Sequence, residues 1–166
     1  MIRLRPAGPA DRDMLEAWDR DPDVMASDPD AWWQWETELA RVSPGVEMLI
    51  AELDGQPIGF LQIIDPAREE SRYWGDIAEA VRAIDIWIGA AADRGRGHGT
   101  QMMRRALERC FADPAVTAIL IDPLASNTRA HRFYERLGFR FVERRDFNGD
   151  DCFVYRLARE DYDGAV

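Results

Sequence analysis

The stretch AIDIWIGAAADRGRGHGTQMMRRALERCF, residues 83–111, decides the fold of this chain. It opens with an apolar run typical of a strand, continues through the glycine-rich segment RGRGHGT (94–100), and ends in a helical pattern. Five apolar residues share one face of that helix: Met103, Ala106, Leu107, Cys110 and Phe111. The stretch therefore predicts a strand, a tight loop and a helix in succession.

The glycine-rich segment is suited to hold an anion. The first N–H groups of a helix have no partner within it, and the helix dipole adds partial positive charge there. Gly95, Gly97 and Gly99 carry no Cβ, so a ligand can approach the backbone closely. Four arginines and no acid lie between Arg94 and Arg105, in a chain of formal net charge −10. A phosphate-bearing ligand is predicted, and a strand-to-helix turn without a ligand is the alternative.

Two common nucleotide motifs do not fit this loop. A P-loop closes with Gly-Lys-Ser/Thr, whereas residues 97–100 read Gly-His-Gly-Thr. The dinucleotide fingerprint GxGxxG needs a longer gap before its last glycine and normally follows the first strand of a βαβ unit.

The patterns on either side predict the remaining elements. Asp54-Gly55 and Asn148-Gly149 each separate two strand-like runs, which predicts two hairpins. DPDVMASDP (21–29) predicts a loop, and DAWWQWETELARV (30–42) predicts a helix with Asp30 as its N-cap. The resulting order, β-α-α-β-β-β-α-β-α-β-β, predicts an α/β (α+β) fold with a single mixed sheet and helices on both faces. One domain is expected over residues 1–166.

The acidic composition excludes several kinds of partner. A sequence pI of about 4.7 argues against nucleic acid and against an anionic membrane surface, and leaves room for a cationic ligand. No apolar run approaches the roughly 20 residues of a membrane span, and the N-terminus lacks an apolar leader, so a cytoplasmic protein is expected. Cys110 and Cys152 lack metal-ligand spacing, which predicts no metal. The expected state is a monomer or a weak homodimer.

Two segments together resemble a known family. RGRGHG (94–99) and NTRAHRFYERLGF (127–139) are similar to the GNAT acetyltransferase signatures R/Q-x-x-G-x-G/A and N-x-x-A-x-x-x-Y-E-x-x-G-F, in the same order and separation. The resemblance implies the GNAT fold, in which a parallel strand pair splays apart. It also implies acetyl-CoA as co-substrate and direct attack of an amine on the thioester.

The resemblance assigns cofactor contacts to the end of the strand, to the glycine-rich loop and the start of the helix after it, and to Asn127 before the following helix. These residues are Ile86, Trp87, Ile88, Arg94, Gly95, Arg96, Gly97, His98, Gly99, Thr100 and Asn127. The backbone of 86–88 would pair with the pantetheine arm, an N–H near Ile88 would point at the thioester oxygen, and 95–100 would bind the pyrophosphate.

Tyr134 matches the general acid of the family, with a core aromatic as the alternative. Asn127 also reads as an N-cap, and the two roles are compatible. His98 and His131 are weak catalytic candidates, and His131 is expected to face solvent.

A narrower resemblance concerns the acceptor. VRAID (81–85) and LIDPLASNTRAHRFYERLGF (120–139) resemble the aminoglycoside 6′-N-acetyltransferases, in which two matching aspartates bind the amino sugar and assist proton removal. The roles fall on Asp85, as base or base through water, and Asp122, as cation anchor. An amine with a pKa of about 10 and an Asp with a pKa of about 4 are poorly matched, so holding the cation is the first task of these groups.

The acceptor side is also predicted from charge and aromatic content. Trp74 and Glu79 lie in an acid-rich segment, and the Trp32-Trp33-Trp35 cluster either walls a sugar site or packs in the core. The bulky run Ile86-Trp87-Ile88 departs from the polar run of the resistance enzymes. Other acceptors therefore stay open: a siderophore amine or hydroxylamine precursor, or a protein N-terminus. A catalytically idle acyl-CoA-binding module is the remaining alternative.

Overall fold

The computed structural model describes residues 1–29 and 31–163. Within these residues one sheet has the order β1-β2-β3-β4-β5-β7-β6. Its strands are β1 (Ile2–Pro6), β2 (Val46–Leu53), β3 (Gln56–Ile64), β4 (Val81–Ile88), β5 (Ala118–Ile121), β6 (Arg140–Phe147) and β7 (Asp150–Ala158). Neighbouring strands are antiparallel except β4 and β5, which run parallel. The predicted mixed sheet with one parallel pair is confirmed.

Helices cover both faces of this sheet, as the element order predicts. They are α1 (Arg12–Asp19), α2 (Pro22–Ser27), α3 (Trp35–Ala40), α4 (His98–Phe111), α5 (Thr128–Arg136) and α6 (Arg159–Asp163). On β3, Leu61 packs in the core cluster beneath α4, and the adjacent Phe60 packs with Leu15 and Trp35 from α1 and α3. Successive strand residues point to opposite faces, so one strand serves both cores. No helix in the described ranges is long and apolar enough to cross a membrane.

Both predicted hairpins are confirmed by their backbone angles. Asp54 and Gly55 have φ of 50° and 86°, and Asn148 and Gly149 have φ of 54° and 101°. Two successive positive values match the twist of the flanking strands, and Asn, Asp and Gly tolerate them best. The first hairpin joins β2 to β3, and the second joins β6 to β7.

The segment between α1 and β2 departs from prediction. The expected loop over 21–29 contains α2, whose N-cap Asp21 accepts hydrogen bonds from the backbone N–H groups of Asp23 and Val24, at 2.9 and 3.4 Å. The loop prediction is wrong because Asp-Pro is a strong start signal even for a short helix. The helix expected from residue 30 begins only at Trp35, and the predicted cap Asp30 lies outside the described residues.

His131 is also placed differently from expectation. Its side chain is buried rather than facing solvent, and its ring stacks on Phe153 with centroids 4.7 Å apart. Nε2 lies 2.9 Å from the carbonyl oxygen of Leu124. The imidazole therefore has a structural role beneath α5, since a backbone carbonyl and a second ring satisfy it.

Candidate active site

A gap opens in the middle of the sheet where β4 and β5 separate. Their last parallel pair is Ala83 with Leu120, yet β4 stays paired to β3 on its other side as far as Ile88. From residue 84 to 88 the edge of β4 that faces β5 has no strand partner among the described residues. Unpaired backbone groups of an extended strand can accept an added extended chain, so this edge fits the pantetheine arm of the predicted cofactor.

The glycine loop ends beside this gap and fits a pyrophosphate. Gly95 and Gly97 have φ of 72° and 81°, and a Cβ at either residue would meet no atom within 4 Å. Open space therefore lies over the backbone at the start of α4, a helix of 14 residues. Arg96 is exposed and forms no salt bridge within the described chain. These features favour an anion at the helix N-terminus.

Two other residues of the loop have surroundings that the sequence does not indicate. Arg94 is turned away from the open face: its guanidinium donates to the carbonyl of Gly89 and pairs with Asp21 and Asp23. The donors of Arg94 are therefore engaged by protein acceptors, and its predicted contact with the cofactor stays a prediction. The Nδ1 atom of His98 is buried without a hydrogen-bond partner in the described structure.

A cavity of about 870 Å³ lies beside the gap on the acceptor side. It brings together residues from three elements that the sequence predicted to share a site: Asp85 from β4, Asp122 just after β5, and Tyr134 from α5. Asn127 also lines it, and its Oδ1 accepts a hydrogen bond of 3.1 Å from the backbone N–H of Ala130. The N-cap expected at Asn127 is thus present.

Asp85 is half-buried in the lining of this cavity. Its Oδ2 accepts a hydrogen bond of 2.6 Å from Nε2 of Gln62, its cross-strand partner on β3. Burial raises the pKa of the Asp85 carboxyl, and the hydrogen bond from Gln62 opposes that shift only in part. A raised pKa narrows the mismatch between this carboxylate and an amine, which is what a base for an amine requires.

Asp122 lines the same cavity as Asp85, and the charge of Asp85 acts on its carboxyl. Burial raises the pKa of Asp122 to about 8, and the charge of Asp85 adds to the shift. The hydroxyl of Tyr73 donates to Oδ2 of Asp122 at 2.5 Å, which favours the ionised form and opposes the increase. Two neighbouring carboxylates with raised pKa values favour a bound cation, because it would relieve the repulsion between them.

Tyr134 completes the chemical group. Its buried ring packs edge-on against Phe133 and Phe139, with centroids 5.1 and 5.7 Å away. Burial, and after it the charges of Asp85 and Asp122, raise the pKa of the phenol, so it keeps its proton at neutral pH. The packing role and the proton-donor role proposed for this residue are therefore compatible.

The three tryptophans of the Trp32-Trp33-Trp35 cluster lie in three different environments. Trp35 is buried in the core and donates from its indole N–H to Asp19, whereas Trp32 is 90% exposed. Trp33 stacks on Trp35 with centroids 4.5 Å apart and lines the cavity. Trp87, expected only as a backbone contact, also lines it, and its buried indole N–H has no hydrogen-bond partner in the described parts of the chain.

Of the other two residues predicted on the acceptor side, Trp74 lines the cavity and Glu79 does not. Trp74 lines the cavity while packing against Phe147, with ring centroids 5.1 Å apart. Glu79 lies outside the lining, because its carboxylate accepts hydrogen bonds from Thr117 and Arg156 at 3.0 and 2.9 Å. Glu79 therefore does not join the other residues predicted to bind the amine.

The lining is strongly acidic. Among the described residues its carboxylates are Asp28, Glu38, Glu69, Glu70, Asp85, Asp122 and Asp150. Arg41 is the one arginine in that lining, and it pairs with Glu70. No group of three His, Cys, Asp or Glu within the described ranges is arranged to hold a metal ion. The cavity is therefore an electrostatic match for an organic cation.

Tyr73 and Gln62 contact the two aspartates but were not predicted. Tyr73 belongs to a polar segment whose sequence gives no periodic signal. Gln62 alternates with apolar residues on β3, and its position opposite Asp85 depends on a strand register that only the fold reveals.

Comparison with known proteins agrees with this geometry. An acetyltransferase (GNAT) domain matches residues 8–147. The aminoglycoside N(6′)-acetyltransferase type 1 of Klebsiella pneumoniae is 41% identical over 91 residues, 54% of this chain and 45% of that protein, so the match spans about half of that relative. The lysine N-acyltransferase MbtK of Mycolicibacterium paratuberculosis is 29% identical over 168 residues, 93% of this chain and 72% of that protein.

A solved structure is similar over nearly the whole chain. The crystal structure of aminoglycoside acetyltransferase AAC(6′)-Ib in complex with coenzyme A and kanamycin superposes with a TM-score of 0.88 at 27% identity. The match covers 99% of this chain and 98% of that one.

Proposed function

Because this chain belongs to the acetyltransferase (GNAT) family, we propose that it transfers an acetyl group from acetyl-CoA to a primary amine of an aminoglycoside, at the 6′ position. One observation carries the proposal: an acid-lined cavity, containing Asp85, Asp122 and Tyr134, adjoins the gap between β4 and β5. With acetyl-CoA as donor, the activity belongs in the cytoplasm.

Acetyl-CoA would supply the reactive thioester, held by the backbone of 84–88 and the loop of 95–100. Asp122 and the other carboxylates of the lining hold the amine as a cation. Asp85, whose pKa is raised by burial, takes the proton, directly or through water, so that a neutral amine can attack. A donor N–H near Ile88 would stabilise charge on the thioester oxygen during the attack.

The leaving group needs a proton in the second half of the reaction. The new C–N bond forms as the C–S bond breaks, and the sulfur departs as a thiolate unless an acid is nearby. Tyr134 is the proposed donor of that proton, because its phenol is protonated at neutral pH and lines the same cavity as the two aspartates. Direct transfer requires both substrates to be bound together, and the contiguity of gap and cavity supports that requirement.

A second acceptor class has an observation in its favour. MbtK, a lysine N-acyltransferase, is similar across 93% of this chain, which supports lysine-like or hydroxylamine precursors as acceptors. A free amino acid brings a carboxylate, however, and the lining offers it only Arg41, which already pairs with Glu70. A polyamine without carboxylates suits seven acidic side chains better, so the aminoglycoside stands as the first choice.

A thiol-release assay with acetyl-CoA tests the proposal. Kanamycin, lysine, a hydroxylysine-type amine and a peptide N-terminus are compared as acceptors, for the wild-type chain and for Asp85→Asn. Kanamycin should give the highest kcat/KM, and Asp85→Asn should lower it by about 10²-fold or more. The exposed acid Glu143 gives the control Glu143→Gln, which removes one charge outside the cavity lining and should leave the rate unchanged.

Two results would contradict the proposal. Faster turnover of lysine than of kanamycin would favour the second acceptor class. Binding of coenzyme A without turnover of any amine would favour a binding module.

A further inference from the structure

Arg94 connects the cofactor loop to the acceptor side of the protein. Its Nη2 donates to the carbonyl oxygen of Gly89 at 2.8 Å and lies 2.8 Å from Oδ1 of Asp21. Its Nη1 donates to Oδ2 of Asp23 at 2.7 Å, and weaker contacts of 3.3–3.4 Å reach the carbonyl of Ile88. The Arg94 side chain is 14% exposed: its contacts with Ile88 and Gly89 are partly buried, whereas its contact with Asp23 lies at the surface.

The residues at the two ends of this connection belong to different binding sites. Ile88 ends the strand whose unpaired edge faces the gap, Gly89 follows it, and Arg94 begins the glycine loop. Asp21 caps α2, and the last residue of α2, Ser27, lines the cavity together with the next residue, Asp28. One guanidinium therefore joins the end of β4 to the helix that leads to part of the acceptor wall.

We propose that Arg94 is a positioning residue for the acceptor site, and that Arg96 is the arginine of this loop that serves the cofactor phosphates. The inference rests on the proposed function. Arg94 fixes α2 against the end of β4, which sets the distance between the acceptor wall and the thioester. Arg96, exposed and without a salt bridge in the described chain, is available to a diphosphate.

The geometry explains why arginine is needed at this position. A planar guanidinium can serve two carboxylates and two carbonyls at once, and its charge-assisted hydrogen bonds are stronger than neutral ones. A lysine ammonium keeps the charge but cannot span the same set of acceptors. Arg94→Lys is therefore expected to behave between wild type and Arg94→Gln.

Matched variants of the two arginines test the division of roles. Steady-state kinetics with acetyl-CoA and kanamycin are combined with calorimetric titration of coenzyme A. Arg94→Gln should raise the KM for kanamycin by about 10-fold and leave the Kd for coenzyme A within about twofold. Arg96→Gln should show the reverse, with a Kd for coenzyme A raised about 3- to 10-fold and an unchanged KM for kanamycin.

A substitution at an exposed partner of Arg94 tests the same contact with less risk of unfolding the protein. The carboxylate of Asp23 is 74% exposed, so Asp23→Asn removes the charge of one partner of Arg94 with little risk to folding. It should raise the KM for kanamycin about 3-fold, and add nothing further when combined with Arg94→Gln. Equal and additive effects of the two substitutions would overturn the connection.

Hydrogen exchange supplies a readout that does not need activity. Amides of residues 23–28 should exchange faster in Arg94→Gln and Asp23→Asn than in wild type, and at the wild-type rate in Arg96→Gln. A wild-type chain that turns over no amine would refute the proposed function while leaving this comparison intact. An Arg94→Gln protein with weakened coenzyme A binding and unchanged exchange in 23–28 would overturn the inference itself.

Discussion

Replacing Asp122 by Asn is expected to stabilise the folded protein at neutral pH while it removes the proposed cation anchor. The carboxyl of Asp122 is half-buried, and burial together with the charge of Asp85 raises its pKa from 3.8 to about 8. An amide of the same shape carries no charge to desolvate, and its oxygen can still accept the hydrogen bond from Tyr73. The substitution therefore separates the energetic cost of the charge from the packing of the side chain.

The sign and the size of the effect follow from proton linkage. Between about pH 4 and pH 8 the folded wild type binds more protons at Asp122 than the unfolded chain does, so its free energy of unfolding falls as the pH rises. The slope has an upper limit of about 1.4 kcal/mol per pH unit for one group. The Asn variant lacks this slope, and its advantage should grow by at least about 2 kcal/mol from pH 5 to pH 8.

Urea unfolding at pH 5, 6, 7 and 8 measures this difference directly. The control is Glu143→Gln, which removes the same formal charge from an exposed position on β6. The free energies of unfolding of the control and the wild type should run parallel across the series, whereas those of Asp122→Asn and the wild type should diverge. A constant difference for Asp122→Asn would refute the argument that this carboxyl is held in an unfavourable environment.

Three further substitutions probe other parts of the site. Tyr134→Phe should lower kcat about 10²-fold in the thiol-release assay and leave coenzyme A binding and the melting temperature nearly unchanged, because only the proposed proton donor is lost. Gly97→Val should reduce coenzyme A binding at least about 10-fold by calorimetry, since the side chain enters the open space over the loop. Gly149→Val imposes a similar backbone strain in a hairpin away from the loop and should leave that binding intact. Gly59→Ala should lower the free energy of unfolding by about 1–3 kcal/mol, because its Cβ would lie 2.6 Å from the carbonyl oxygen of Trp87, a backbone atom that cannot rotate away.

The hairpins and the strand–loop–helix unit were predictable because their signals are local. Asp54-Gly55 and Asn148-Gly149 adopt the positive φ values that their residue types favour. The order of elements then leaves few ways to form a mixed sheet, which brings Asp85 of β4 and Asp122, just after β5, to one cavity. The roles predicted for Asp85, Asp122 and Tyr134 came from the family resemblance and stay predictions.

The parts that were missed depend on side-chain direction. The direction of the Arg94 side chain is set by its ion pairs with Asp21 and Asp23, about seventy residues earlier in the chain. The loop sequence alone does not indicate these partners. His131 lies beside the apolar stripe of α5, and only the position of β7 decides that it is buried. In α2 the Asp-Pro signal was present, but six residues are too few for a periodic pattern to support it.

Tyr73 illustrates a third reason. Its hydroxyl meets Asp122 across 49 residues of sequence, from a segment without regular structure. Its ring stacks on Phe147 with centroids 4.6 Å apart, which holds the phenol near the carboxylate. Contacts of this kind arise from tertiary packing alone, so no spacing rule predicts them.

Where β4 and β5 separate, backbone hydrogen-bonding groups inside the sheet are left without a strand partner. A bound small molecule can pair with them. A ligand that binds only the folded protein stabilises it by mass action. At a concentration one hundred times its Kd, it adds about 2.7 kcal/mol to the free energy of unfolding. Cells depleted of coenzyme A would hold this protein in its most labile form, with its largest unfolded fraction available to proteases.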